Sequence, residues 1–200
     1  MSTNRLESFS DGVLAVAITL LVLNIQVPAP GGHLGHRLAG EWPQYAAYAT
    51  SFLTIGIIWV NHHAMISRLN ATDHSILMLN LILLLTIGLI PFATALFATY
   101  LREGHGQNLA AGVYSGVFLA MAIAFATLNW HILFNKAHLL PSGLSEPRRR
   151  RILARSVRGL VPYVVATALA VVSPYPTLII CAALAVYYAL PLASSFEPSG

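Results

Sequence analysis

The chain alternates long apolar runs with short polar connections, and the runs have the length of membrane-spanning helices. The first opens with Arg5, Glu7, Ser8, Ser10 and Asp11 among apolar residues, then carries no ionisable side chain from Gly12 to Val27. A helix over 5–27 would be about 34 Å long at ~1.5 Å per residue, enough to cross a hydrocarbon core of roughly 30 Å. Val27-Pro-Ala-Pro-Gly-Gly32 cannot continue it. Further runs cover 43–67, 74–100, 108–133, 152–172 and 177–193. Pro91 should kink the third, while Pro162, Pro174 and Pro176 crowd the last two. The fourth is rich in Ala and Gly, which suits close helix contacts in lipid. The pattern predicts an all-α polytopic membrane protein, with six transmembrane helices in one domain over 1–200. On a wheel of about 100° per residue, Gly12, Val16, Thr19, Leu20, Leu23 and Val27 share one narrow stripe, apolar except for a single hydroxyl.

Composition sharpens the class. Apolar residues make up 56% of the chain and charged residues 9%, against about 25% charged in ordinary soluble domains. The single cysteine, Cys181, lies in an apolar run, excludes an intrachain disulfide and reads as packing. Glu7 and Asp11 spoil the basic leader of a cleaved signal peptide, so the first run is expected to remain in the protein. Basic residues set the orientation. With the N-terminus in the cytoplasm, the inner set is Arg5, Arg68, Lys136, Arg148, Arg149, Arg150, Arg151, Arg155 and Arg158. That is nine of the eleven Lys and Arg residues, and only Arg37 and Arg102 fall outside. Both termini of this multi-pass cell-membrane protein are then expected in the cytoplasm. The run from Arg148 through Arg151 reads as a topology determinant and an anchor to anionic lipid, with no nucleic acid implied.

This topology brings distant polar residues to one depth. The first helix starts inside with Asp11, the second ends inside with Trp59, Asn61, His62 and His63, and the third starts inside with Asn80. Strongly polar groups at membrane depth are costly unless paired, which predicts a hydrogen-bond network between helices. A metal site fits less well, because adjacent histidines point about 100° apart, unlike the i, i+4 pair of a zinc helix. No metal or other cofactor is expected. Asn4 with Glu7, or Ser8 with Asp11, also has capping-box spacing, which would explain Asp11 as a helix start alone. No nucleophile with a base and no paired acids emerge, so no enzyme is expected. A small secondary or proton-coupled transporter using Asp11, His62 and His63 stays open. Proline-interrupted helices are common in transporters, although two inverted halves are not visible here.

Arg5, Phe9, Ser10, Asp11 and Thr19, in the order R-x-x-x-F-S-D-x-x-x-x-x-x-x-T, resemble the signature of the transmembrane protein 175 family, the endosomal and lysosomal potassium channels and their prokaryotic relatives. Trp59-Val-Asn-His-His63, Asn80 and Ile90-Pro-Phe92 resemble further signatures of that family, and the six-helix layout extends the resemblance over nearly the whole chain. The resemblance implies that the first helix lines an ion path, with Val16, Thr19, Leu20 and Leu23 forming rings around it. It also implies that Arg5, Phe9, Ser10, Asp11, Trp59, Asn61, His62, His63 and Asn80 tie the inner end of that helix to the second and third. A single six-helix repeat resembles the prokaryotic form, which implies a homotetramer with potassium as the permeant ion. The chain departs from the family at one place. Five residues after Asp11, where Ile or Leu usually forms the narrow apolar ring, it carries Val16. No Thr-Val-Gly-Tyr-Gly filter is present, so selectivity would come from partial dehydration at an apolar constriction.

Overall fold

A computed structural model of the protein describes residues 3–141 and 144–190. The last residues of the sixth expected span, 191–193, and the polar tail after them lie outside the described residues. Every regular element among the described residues is helical.

The first helix, α1 (Thr3–Val22), stops five residues short of the expected 27. The reason is tertiary. Asn24 donates its side-chain amide to the Pro91 carbonyl at 3.1 Å, and the backbone N–H of Gln26 donates to Gln44 Oε1 at 2.7 Å. These bonds replace the helical partners that residues 23–27 would otherwise need, so the helix closes with short turns at Asn24 and Ile25. A short α2 (Leu34–Gly40) lies in the polar connection between the first two apolar runs. The long α3 (Trp42–Ile66) begins with Pro43 in its first turn, where a missing N–H costs nothing.

The third apolar run is divided into α4 (His74–Gly88) and α5 (Ile90–Glu103). Pro91 cannot donate to the Ile87 carbonyl, and the ladder breaks two residues before it, at Leu89. The same device recurs in the fifth run, where α7 (Glu146–Arg158) and α8 (Leu160–Leu169) break at Gly159, ahead of Pro162. That run starts at Glu146 rather than at 152, because Ser145 and Pro147 begin the helix before the arginines. Between them, α6 (Gln107–Trp130) continues into a π-turn over His131–Asn135, closed by the Lys136 N–H to the His131 carbonyl at 3.0 Å. The last helix is α9 (Pro174–Ala189). Three rods, His74–Glu103, Gln107–Asn135 and Glu146–Leu169, are long and apolar enough to cross a membrane, and α9 is apolar but shorter.

The core is centred on α6, which packs against α4, α5, α8 and α9. Its small residues let neighbours approach, and an aromatic ladder crosses it. Phe97 stacks on Tyr114 with ring centroids 4.8 Å apart, Tyr114 meets Phe118 at 4.6 Å, and Phe118 meets Tyr163 edge-on at 5.8 Å. Hydroxyls beside this ladder pair with one another: Ser51 lies 2.8 Å from the Thr94 hydroxyl and 3.1 Å from that of Tyr114. By contrast α1 sits at the rim, held on one side only, against α3, α4 and α5.

Candidate functional site

The two faces of α1 have different fates. Leu6, Ser10, Leu14, Ala17 and Leu21 recur at helical spacing and are buried against the rest of the chain. Opposite them, Val16 is 57% exposed and Leu20 43%, with Thr19, Gly12 and Phe9 uncovered beside them. Phe9, Gly12, Val16 and Leu20 line a shallow apolar groove along the helix that reaches Gly88 at the end of α4. Thr19 donates its hydroxyl proton to the Val16 carbonyl at 2.9 Å, which leaves the hydroxyl oxygen as an outward-facing acceptor. Leu23 must be placed differently from its expectation as a helical residue. It lies in the turn after α1, 76% exposed, beyond the end of the uncovered helical stripe.

The N-terminal half of α1 is tied down by two sets of bonds. The first is buried and runs through three helices. Asn80 on α4 donates Nδ2 to Ser10 Oγ at 3.0 Å, which fixes the orientation of the amide and turns Oδ1 towards His62 Nε2, 2.7 Å away on α3. Ser10 passes its own proton to the Leu6 carbonyl at 2.9 Å. With that amide orientation His62 carries its proton on Nε2 and donates it, so a single pattern satisfies every link of the chain.

The second set faces outward. Trp59 Nε1 donates to Asp11 Oδ1 at 2.9 Å, and His63 Nδ1 lies 2.5 Å from Glu7 Oε1. Glu7 and Asp11 are one helical turn apart on α1, as are Trp59 and His63 on α3. The helices run in opposite directions, so the two pairs form successive rungs. Asp11 therefore does more than start a helix. His62 and His63, neighbours in sequence, serve different helices and do not converge.

Two expected members lie elsewhere. Asn61 donates to the Ile57 carbonyl at 2.9 Å and faces a cavity on the far side of α3, away from α1. Arg5 is exposed, and among the described residues it has no hydrogen-bond partner. Glu7 takes a place in the network that sequence reasoning had left to helix capping.

The C-terminal end of α1 has a clamp that sequence reasoning did not single out. Glu41, mostly buried, accepts from Arg102 on one carboxylate oxygen and from Gln44 Nε2 at 2.5 Å on the other. Gln44 in turn accepts from the Gln26 backbone. The lone basic residue at the end of α5 and the lone acid before α3 were the available signal.

Helices with one face packed, one apolar face left open and both ends secured define an element built to meet further copies or lipid. Residues 5–91 match the family described as "Endosomal/lysosomal potassium channel TMEM175". The chain is 46% identical over 189 residues to a Streptomyces collinus protein named a potassium channel, covering 93% of this chain and 91% of that one. It superposes on the crystal structure of a lysosomal potassium-selective channel TMEM175 homolog from Chamaesiphon minutus with a TM-score of 0.82 and 38% identity, covering 98% of each chain. It is also 31% identical over 153 residues to the mouse endosomal/lysosomal proton channel TMEM175, whose chain it covers over only 31% of its length. The chain belongs to the TMEM175 family, a family of ion channels rather than enzymes.

Proposed function

We propose that four copies of this chain assemble around an axis lined by α1 and conduct potassium ions passively across the cell membrane, with both termini in the cytoplasm. The observation that carries this is the open face of α1. Val16, Thr19 and Leu20 are turned away from their own subunit on a helix whose other face is fully packed. Four such faces around an axis give rings of apolar side chains with one ring of hydroxyl oxygens between them. An ion crossing them must shed part of its water. Potassium loses water more cheaply than sodium, and the Thr19 oxygens can replace some of what is lost. The same apolar rings close the path when they dewet. Leu23 falls at the outer mouth rather than within the constriction.

Names given to relatives support this reading: the Streptomyces protein is called a potassium channel, and the Chamaesiphon structure a potassium-selective one. The bonds of Asp11 to Trp59 and of His62 to Asn80 favour an architectural role for these residues over proton-coupled transport. Purified protein in liposomes tests the proposal. Potassium flux should be fast, driven by voltage and larger than sodium flux; slow, saturating turnover would instead fit a carrier.

A further inference from the structure

A cavity of about 170 Å³ lies on the side of α3 opposite α1, enclosed by α3, α6, the α7–α8 rod and α9. Its lining is graded along the helix axes. Towards the middle of the bundle it meets Ile58, Met121, Phe125 and Leu184, and towards the end that also carries His62 it meets Asn61, Arg68, Asn129, Arg155 and Tyr188. Asn129 is only 3% exposed; its Nδ2 donates to Ser156 Oγ at 2.8 Å, and its Oδ1 has no partner among the described residues. A buried amide oxygen of this kind has room for a donor from outside the chain, a water or a ligand hydroxyl.

We propose that this cavity seats one anionic phospholipid with a hydroxyl-bearing headgroup, of the phosphatidylglycerol type. Its phosphodiester lies at Arg68 and Arg155, a headgroup hydroxyl donates to Asn129, and one acyl chain runs inward over Met121 and Leu184. Each guanidinium carries a fixed positive charge on a planar fork of N–H donors, the geometry that matches phosphate oxygens. A free anion would satisfy the arginines and leave the apolar floor unused, whereas a zwitterionic lipid would bring its own cation to a mouth that already holds two. The site would act from the inner leaflet, so the proposal rests on the reading of the chain as membrane-spanning with this end cytoplasmic.

The test uses the full chain in phosphatidylcholine vesicles containing a small fraction of phosphatidylglycerol with a photoreactive group on its acyl chain. Adducts should concentrate in 121–125 and 184–188, and unlabelled phosphatidylglycerol should compete where phosphatidylcholine does not. Arg68→Gln and Arg155→Gln should each weaken competition by about tenfold, as loss of a charge-assisted hydrogen bond requires. Ala122→Leu, which narrows the apolar floor and keeps both arginines, should also reduce labelling, while Arg150→Gln should leave it unchanged. Adducts spread over all outer helix faces, equal competition by phosphatidylcholine, or displacement by inorganic phosphate alone would overturn the proposal. Potassium flux is read separately in the same vesicles. Localised adducts without flux would retire the channel reading and keep the lipid site; flux with scattered adducts would do the reverse.

Discussion

Asn80 holds Ser10 with one end of its amide and His62 with the other, and it is fully buried. Asn80→Ala therefore strands two polar groups at once, at about 1–3 kcal/mol for each group left unsatisfied. Thermal melting of the assembled protein should fall clearly, and ion preference should change little in whatever still assembles. Thr19→Val makes the opposite separation. It keeps the shape, deletes the outward oxygen, and should lower the potassium-to-sodium permeability ratio severalfold with little loss of stability. Val16→Ala should widen the ring, raising current while reducing preference. Reversal potentials in mixed potassium and sodium check both, and no shift from either would remove α1 from the ion path. Asp11, Trp59, His62, His63 and Asn80 were legible in the sequence, because polar residues at shared depth must find one another, while Ser10 was marked by the resemblance. Asn61 was grouped with them by depth and by the resemblance. Depth cannot distinguish the faces of α3, and a residue one position along points about 100° away. Glu7 was missed for a similar reason: its spacing fits a cap, and only the antiparallel match with Trp59 and His63 reveals a rung.

Elements were best foreseen where proline acts. The division at Leu89 follows from Pro91, as the sequence predicts; the division at Gly159 follows from Pro162 by the same lost bond. The end of α1 was not legible, since it is set by Asn24 and Gln26 reaching partners 67 and 18 residues away. Another end shows how pH enters. Asp73 caps α4 by accepting the Ile76 N–H at 2.9 Å and pairs with Lys136 at 2.5 Å, joining the α3–α4 turn to the end of α6. The Lys136 hydrogen bond, with that of Ile76 second, holds the Asp73 carboxyl below the usual carboxylate range. A depressed value stabilises the fold above the unfolded pKa of about 3.9 and is lost as pH falls through the lower folded one. Amide protection in the first turn of α4 should hold from neutral pH down to about 4 and fall below it. In Asp73→Asn that loss should be absent.

At the scale of the whole molecule, the open face of α1 makes assembly the central expectation. A cysteine at Val16 should crosslink to its copy in a neighbouring subunit, and crosslinking should stop at four chains; a conducting monomer would overturn the assembly. This level was the least legible from residues alone, because Val16, Leu20 and Leu23 would look the same on a helix packed inside its own chain. It took the observed burial of Leu6, Leu14, Ala17 and Leu21 to show which face is left over. One feature of that helix has a mechanical consequence. The rungs to α3 anchor its N-terminal half, and the Glu41–Arg102–Gln44 clamp, with Asn24, anchors its C-terminal end. A beam built in at both supports cannot hinge at either. The aperture can then change only by tilting entire subunits or by rotamer flips near mid-span, around Val16 and Leu20. Those two routes differ in speed by orders of magnitude, ps–ns for a side chain against μs–ms for a subunit, so rotamer flips would average into the level of the open-channel current, and closures resolved in single-channel records would report the tilting of subunits.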